Sequence, residues 1–89
     1  MKKINSLGQN VINDNITIRR KNLAKGEEIP VHSHEGYNVF LCLVDGELNA
    51  KVDGKEFLIE KGDIVNFSEE EKFGAVANKD TSFFVFIIS

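Results

Sequence analysis

The sequence has few of the residues that cross-link a small fold or interrupt its strands. Its 89 residues include one cysteine, Cys42, one proline, Pro30, and no tryptophan. A single cysteine excludes an internal disulfide, and its position inside the apolar segment VFLCLV predicts a buried, inert thiol. Since that composition is typical of a reducing compartment, we expect a cytoplasmic protein.

Long apolar runs and concentrated positive charge are also missing. No stretch approaches the length that crosses a bilayer, and the polar residues between Ile4 and Asn15 leave no apolar centre for a signal peptide. The formal net charge of −3 comes from 14 acidic and 11 basic residues, with no basic patch to neutralise a run of phosphates. We therefore expect neither a membrane nor a nucleic acid as a partner.

No segment shows a sustained helical period. Short apolar or alternating segments recur between turn residues, which is typical of an all-β sandwich or barrel. Residues 1–14 predict an N-terminal arm or edge strand, and residues 1–89 are expected to form one small domain. The segments predicted to be extended are 15–23, 27–34, 39–44, 47–52, 55–59, 64–67, 73–77 and 83–88.

Four of these segments allow more specific predictions. Arg19-Arg20 alternates with Ile16 and Ile18, which suggests a solvated strand edge. Asp53-Gly54 follows a cleanly alternating segment and predicts a tight hairpin. Segments 39–44 and 83–88 are apolar on both faces, so a second layer or a partner subunit must cover the side away from the barrel interior. We therefore expect a homodimer.

The two histidines of the chain lie together, with Ser33 between His32 and His34. In an extended chain this spacing puts both side chains on one face, where the pair can hold one metal ion or one ligand. The alternative is a pair of partly buried rings that hydrogen-bond backbone or water and take no part in chemistry.

The spacing around the histidines resembles the first motif of the cupin family. That motif has a glycine, a His-X-His pair, a glutamate and a second glycine. This chain has Gly26, His32 and His34 at the family spacing and Val39 in place of the glutamate. Gly46 matches the second glycine of the motif. The resemblance covers residues 25–88 and implies a cupin-type jelly roll, a double-stranded β-helix barrel.

The second cupin motif is retained only at its start. Gly62 matches its opening glycine, but Ser68 and Glu70 replace the following proline and glycine, and Phe73 falls where the histidine belongs. In metal-binding cupins the ligands are the two histidines and glutamate of the first motif and the histidine of the second. The resemblance therefore implies that this chain keeps two of the four ligands.

Two imidazoles alone make a weak metal site. Asn38, Tyr37, Glu35 or the acidic segment 69–71 would have to supply substitute oxygen donors, although that segment also has the pattern of solvated surface. Apolar residues at both vacated ligand positions, Val39 and Phe73, instead favour a hydrophobic pocket at the barrel mouth.

The preferred hypothesis is a module that binds or senses a small molecule, with His32 and His34 as polar anchors and a weak or absent metal site. One alternative is a metal-dependent enzyme of the isomerase or dioxygenase type, which the resemblance allows. In it the two histidines would hold iron, manganese, nickel or zinc. The other is a degenerate barrel that serves only for dimerisation. The residues predicted to contact the ligand are His32, His34, Tyr37, Val39, Leu41, Phe57 and Phe73.

Overall fold

The computed structural model describes residues 1–68 and 70–89, and the strands in them confirm the all-β prediction. The strands are β1 (Gly8–Val11), β2 (Ile16–Leu23), β3 (Glu28–His32), β4 (Asn38–Asp45), β5 (Glu47–Val52), β6 (Lys55–Glu60), β7 (Ile64–Phe67), β8 (Phe73–Ala77) and β9 (Thr81–Ile88). Sheet A has the order β1-β2-β9-β4-β7, and sheet B has the order β3-β8-β5-β6. Across the described residues, no helix has the length and apolar character needed to span a membrane.

The core lies between the inner faces of the two sheets. Sheet A contributes Val39, Leu41 and Leu43 from β4, and sheet B contributes Leu48 and Ile59 from its β5–β6 hairpin, each at most 2% exposed. Full burial of one such side chain contributes about 1.5–3 kcal/mol relative to leaving it in water. The strict alternation of these residues along each strand therefore fixes which face of each sheet points inward.

The predicted Asp53-Gly54 hairpin is confirmed. Asp53 has φ 49° and Gly54 has φ 82°, and a two-residue turn of type I′ requires positive φ at both positions. The hairpin joins β5 to β6 in the register Val52–Lys55 through Glu47–Glu60. Asp53 also accepts a hydrogen bond from the Lys72 amide at 3.1 Å, which ties the hairpin to the start of β8.

The Asp45-Gly46 turn depends on a close backbone approach. Gly46 has φ 94°, and a Cβ at this position would overlap the hydroxyl of Thr81 and lie 2.5 Å from the carbonyl oxygen of Asp80. Thr81 is buried at 3% exposure, and its hydroxyl donates to the Lys79 carbonyl at 2.8 Å and accepts from the Glu47 amide at 3.1 Å. Glycine at position 46 therefore allows the turn to pack onto the start of β9.

Two local predictions need correction. Arg19 and Arg20 do not lie on a solvated edge, because β2 pairs with both β1 and β9. Arg19 is on the core side of that strand, beside Val85, and Arg20 is on the opposite side. Cys42 is half-buried rather than buried, because it alternates with the inward Leu41 and therefore lies on the outer face of sheet A. In the acidic segment, Glu70 is exposed and Glu69 lies outside the described residues.

Candidate functional site

The end of β3 positions the first histidine. β3 is an edge strand with a bulge between Ile29 and His32, a position that suits Pro30 because proline has no amide proton to donate. His32 pairs directly with Phe73 of β8, whose side chain is in the core. After the bulge, β3 pairs with β8 again at His32, next to the edge of the core.

A turn after β3 positions the second histidine. The Tyr37 amide donates to the His34 carbonyl at 3.0 Å, and Gly36 within this turn has φ 83°, a left-handed conformation that favours glycine. The turn folds His34 back over the end of the barrel, with its ring centroid 6.5 Å from that of Phe67.

The two imidazole rings converge. Their Nε2 atoms are 2.9 Å apart, and the ring planes meet at 73° with the centroids separated by 4.7 Å. His32 Nδ1 lies 2.6 Å from the Pro30 carbonyl oxygen, and because a carbonyl only accepts, this nitrogen carries the proton. In the neutral pair, His32 Nε2 then accepts and His34 donates from Nε2–H. The rings thus present one acceptor and one donor at the same point.

The environment of His34 lowers its pKa from the ordinary value of 6.5. Burial is the main cause, because it penalises the charged imidazolium, and the positive charges of His32, Arg19 and Lys21 act in the same direction. His34 is therefore neutral at pH 7, which leaves one of its ring nitrogens free to accept a hydrogen bond.

Both rings line a small cavity of about 40 Å³, here called the histidine cavity. Its floor is hydrocarbon, including Leu41 and Phe83 from the core. Arg19 and Lys21 of β2 also line it. The cavity therefore combines two imidazoles and two cations with an apolar floor.

A second and larger cavity, here called the apolar pocket, has a volume of about 260 Å³ and opens between the edge strands β6 and β7. Its lining is mainly apolar and includes Ala50, Ile59 and Val65, with Phe57 at 51% exposure. The Glu71 side chain contributes polar character to the lining and accepts a hydrogen bond from the Ser68 amide at 2.9 Å.

A stacked pair of phenylalanines separates the two cavities. The rings of Phe67 and Phe73 are nearly parallel, at 2°, with centroids 4.6 Å apart, and both side chains line both cavities. Phe73 occupies the position where the family motif has its second-motif histidine. An aromatic wall therefore stands where that motif would place a metal ligand.

The predicted contact residues are thus divided between sites. His32, His34 and Leu41 line the histidine cavity, Phe57 lines the apolar pocket, and Phe73 lines both. Val39 and Tyr37 line neither cavity. Val39 is 0% exposed because it is packed between the sheets, whereas Tyr37 is 44% exposed on the loop after β3.

Sequence reasoning missed Arg19, Lys21 and Phe67 as lining residues. The apolar residues Ile16 and Ile18 of β2 favour their own face as the inward one, but the pairing with β9 turns the face of Arg19 toward the core. Phe67 lies in the wall because β7 pairs with β4 and places it beside Val39, a pairing between segments far apart in the chain.

The donor set does not fit the metal site that the family resemblance implies. No group of three or more His, Cys, Asp or Glu side chains that could hold a metal occurs in residues 1–68 and 70–89. The candidate substitute Asn38 already accepts a hydrogen bond through its side-chain oxygen from Asn66, at 2.7 Å. The described residues thus offer two converging nitrogens, fewer than the three protein ligands of a typical catalytic site.

Two facing antiparallel sheets with a cavity at one end define a double-stranded β-helix barrel. The sequence model of the cupin domain matches residues 19–89. The chain belongs to the cupin family.

Solved structures share this fold at low sequence identity. An RmlC-like cupin protein from Desulfovibrio desulfuricans has a TM-score of 0.87 and 22% identity, covering 99% of this chain and 96% of that one. An RmlC-like cupin family protein from Methanocaldococcus jannaschii has a TM-score of 0.82 and 22% identity, with coverages of 98% and 82%. KdgF from Halomonas sp. has a TM-score of 0.71 and 16% identity, with coverages of 91% and 87%. No curated protein matches the chain.

Proposed function

We propose that this cupin binds a small molecule at the mouth of its barrel, with His32 and His34 as the polar anchors. The observation that carries the proposal is the convergence of the two Nε2 atoms, 2.9 Å apart, at the histidine cavity. A ligand hydroxyl or carboxyl group that enters between the rings can replace their mutual hydrogen bond, because one nitrogen accepts and the other donates. The ligand therefore regains the hydrogen bonds that it loses on leaving water.

Support for binding also comes from the walls. A site with a few convergent polar groups on an apolar surface is the usual arrangement of a small-molecule pocket. Here the polar groups are at the mouth, and Leu41 and Phe83 form part of the floor.

A fragment screen by ¹H–¹⁵N NMR tests the proposal. The panel contains small alcohols, acids, amides and sugars, and it is applied to the unmodified chain, His32→Ala and His34→Ala. Binding should shift resonances around the two histidines and should weaken in both variants. Tyr37→Phe is the matched control, since Tyr37 is nearby in sequence but lines neither cavity. Shifts that persist unchanged in both alanine variants would place the ligand elsewhere.

The alternative is a metal-dependent cupin enzyme of the isomerase or dioxygenase type. One observation favours it. His32 donates from Nδ1 to the Pro30 carbonyl at 2.6 Å, and such a hydrogen bond orients the opposite nitrogen of a metal-binding histidine. Iron, manganese, nickel or zinc would then need oxygen ligands that the described residues do not assemble.

Elemental analysis of the purified protein separates the two functions. The small-molecule proposal expects substoichiometric metal and no stabilisation by added divalent ions. Stoichiometric metal that is lost together with thermal stability in His32→Ala would favour the enzyme instead.

We also propose that the protein is a cytoplasmic homodimer that associates through the outer face of sheet A. The free thiol of Cys42 supports the location. Cross-strand neighbours make this face apolar, since Cys42 pairs with both Ile64 and Phe84. The apolar side chains on it are Ile16, Ile18, Phe40, Cys42, Val44, Ile64, Phe84, Phe86 and Ile88.

A second copy of the chain is the occupant that fits this face best. The charged side chain on the same face, Arg20, lies 5.1 Å above the Phe84 ring, so two copies would meet with little like-charge repulsion. The molecule extends 35 and 27 Å along its two longer axes, and a standard interface buries roughly 800 Å² of each partner. Sedimentation at micromolar concentration should therefore report a dimer.

A further inference from the structure

Two cations lie on the core side of a strand whose neighbours there are hydrocarbon. Arg19 and Lys21 are alternate residues of β2, so they share one face, and their cross-strand partners are Val85 and Phe83. Both side chains line the histidine cavity. Arg19 is half-buried and Lys21 is exposed, so the two positive charges lie where the apolar cavity meets solvent.

Among residues 1–68 and 70–89, no carboxylate neutralises these charges. None of the described residues that line the histidine cavity is an aspartate or a glutamate. Likewise, no ion pair joins Arg19 or Lys21 to a carboxylate in the part of the chain that the structure describes. The lowered pKa of His34 has the charges of both cations among its causes, so their field reaches the imidazole pair.

We propose that the ligand of the histidine cavity is a small organic carboxylate, whose oxygens accept hydrogen bonds from Arg19, Lys21 and His34. This inference rests on the proposed function and names the chemical class of its ligand. A carboxylate supplies the negative charge that the cavity lacks, and charge-assisted hydrogen bonds are about twice as strong as neutral ones. Arginine adds a planar fork that matches the two carboxylate oxygens.

Cavity size limits which anions fit. About 40 Å³ admits a head group little larger than one water, whose share of liquid volume is about 30 Å³. A carboxylate group satisfies that limit when the rest of the ligand lies outside the cavity.

Matched ligand pairs test the charge directly. Acetate, butyrate and benzoate are titrated into the ¹⁵N-labelled protein at constant ionic strength, each beside its neutral amide, acetamide, butyramide or benzamide. The acids should bind about tenfold more tightly than the amides and should shift the His34 resonances. Sodium chloride at the same ionic strength should produce neither effect.

Matched variants test the two residues. Arg19→Gln and Lys21→Met should each weaken carboxylate binding by about fivefold to tenfold and leave amide binding unchanged. Arg20→Gln is the control, because it removes the same charge from the other side of the same strand. Arg19→Lys should keep much of the affinity, and the amide spectrum of each variant reports whether it is folded.

Three results would overturn the inference. The first is that acids and amides bind equally tightly. The second is that Arg19→Gln and Lys21→Met bind carboxylates as tightly as Arg20→Gln does. The third is that no acid binds. In the first two the histidines still respond to fragments, so the proposed function survives. In the third, the outcome of the broader fragment screen decides whether the proposed function fails as well.

Discussion

Phe67 and Phe73 stack face to face with their centroids 4.6 Å apart, and this pair separates the histidine cavity from the apolar pocket. Phe73 lies directly opposite His32 across the β3–β8 pairing. The Phe73 ring therefore forms part of the wall of both cavities, and it occupies the position of a family metal ligand.

Phe73→His should increase metal affinity. The new imidazole would lie beside His32 in register, and it would raise the number of nitrogen donors from two to three. We expect Ni²⁺ binding at least about tenfold tighter than in the unmodified chain, measured by calorimetry. The double variant Phe73→His/His34→Ala is the control and should lose the gain. Equal affinity in both variants would show that the three positions do not converge.

Phe73→Ala should merge the two cavities and destabilise the fold. Phe73 is 2% exposed, and truncating a buried phenylalanine costs about 3–5 kcal/mol. Chemical denaturation would measure the free energy of unfolding. Phe57→Ala is the comparison, since Phe57 lines the apolar pocket at 51% exposure and should cost far less. Similar losses in the two variants would contradict the position of Phe73 in the wall.

His34 should titrate below the ordinary histidine pKa of 6.5, because its pKa is lowered by burial and by neighbouring cations. Below pH 6.5 the unfolded chain then binds more protons at this residue than the folded chain. The contribution of His34 to stability is therefore complete above that pH and declines as the pH falls toward the folded pKa. Imidazole NMR should show the titration midpoint of His34 rising in Lys21→Met and unchanged in Lys51→Met, because Lys51 is exposed on the outer face of sheet B. A His34 midpoint that is the same in Lys21→Met as in the unmodified chain would contradict the placement of both residues at one cavity.

Ile64→Glu should dissociate the proposed dimer. Ile64 is 67% exposed and lies on the outer face of sheet A, so a carboxylate there would face its own copy across the interface. Sedimentation should report a monomer. Val31→Glu is the control, because Val31 is 62% exposed on the opposite sheet. A dimer that survives Ile64→Glu would exclude this face.

Gly46→Ala should cost more stability than Gly62→Ala. Both glycines have positive φ, 94° and 89°, so alanine at either position carries the left-handed penalty of about 1–2 kcal/mol. Only at Gly46 does a Cβ also collide, with Thr81 and the Asp80 backbone, whereas nothing lies within 4 Å at Gly62. Equal costs by chemical denaturation would mean that the turn can relax.

The strands were largely predictable because their signals are local. The alternation of Leu48, Ala50 and Val52 and the Asp53-Gly54 turn specify the β5–β6 hairpin without reference to distant residues. The inward face of β2 was not predictable, because its apolar residues Ile16 and Ile18 lie on the outer face, and only the pairing with β9 shows this.

One part of the candidate site was also predictable from local sequence, and the other part was not. The spacing of His32 and His34 indicated their pairing, since two residues in an extended segment share a face. The wall of Phe67 and Phe73 and the placement of Arg19 depend on contacts between strands distant in sequence. Those contacts also explain why Val39, expected in the pocket, is fully buried in the core.

The central claim is that the His32 and His34 imidazoles together anchor a ligand. A long-range ¹H–¹⁵N spectrum of the two rings tests it most directly, before and after saturation with the tightest-binding fragment of the screen. We predict the Nδ1–H form of His32 and the Nε2–H form of His34 in the free protein, and ¹⁵N shifts in both rings on binding. Rings that remain unperturbed at saturation, with resonances typical of freely solvated imidazole, would contradict the account.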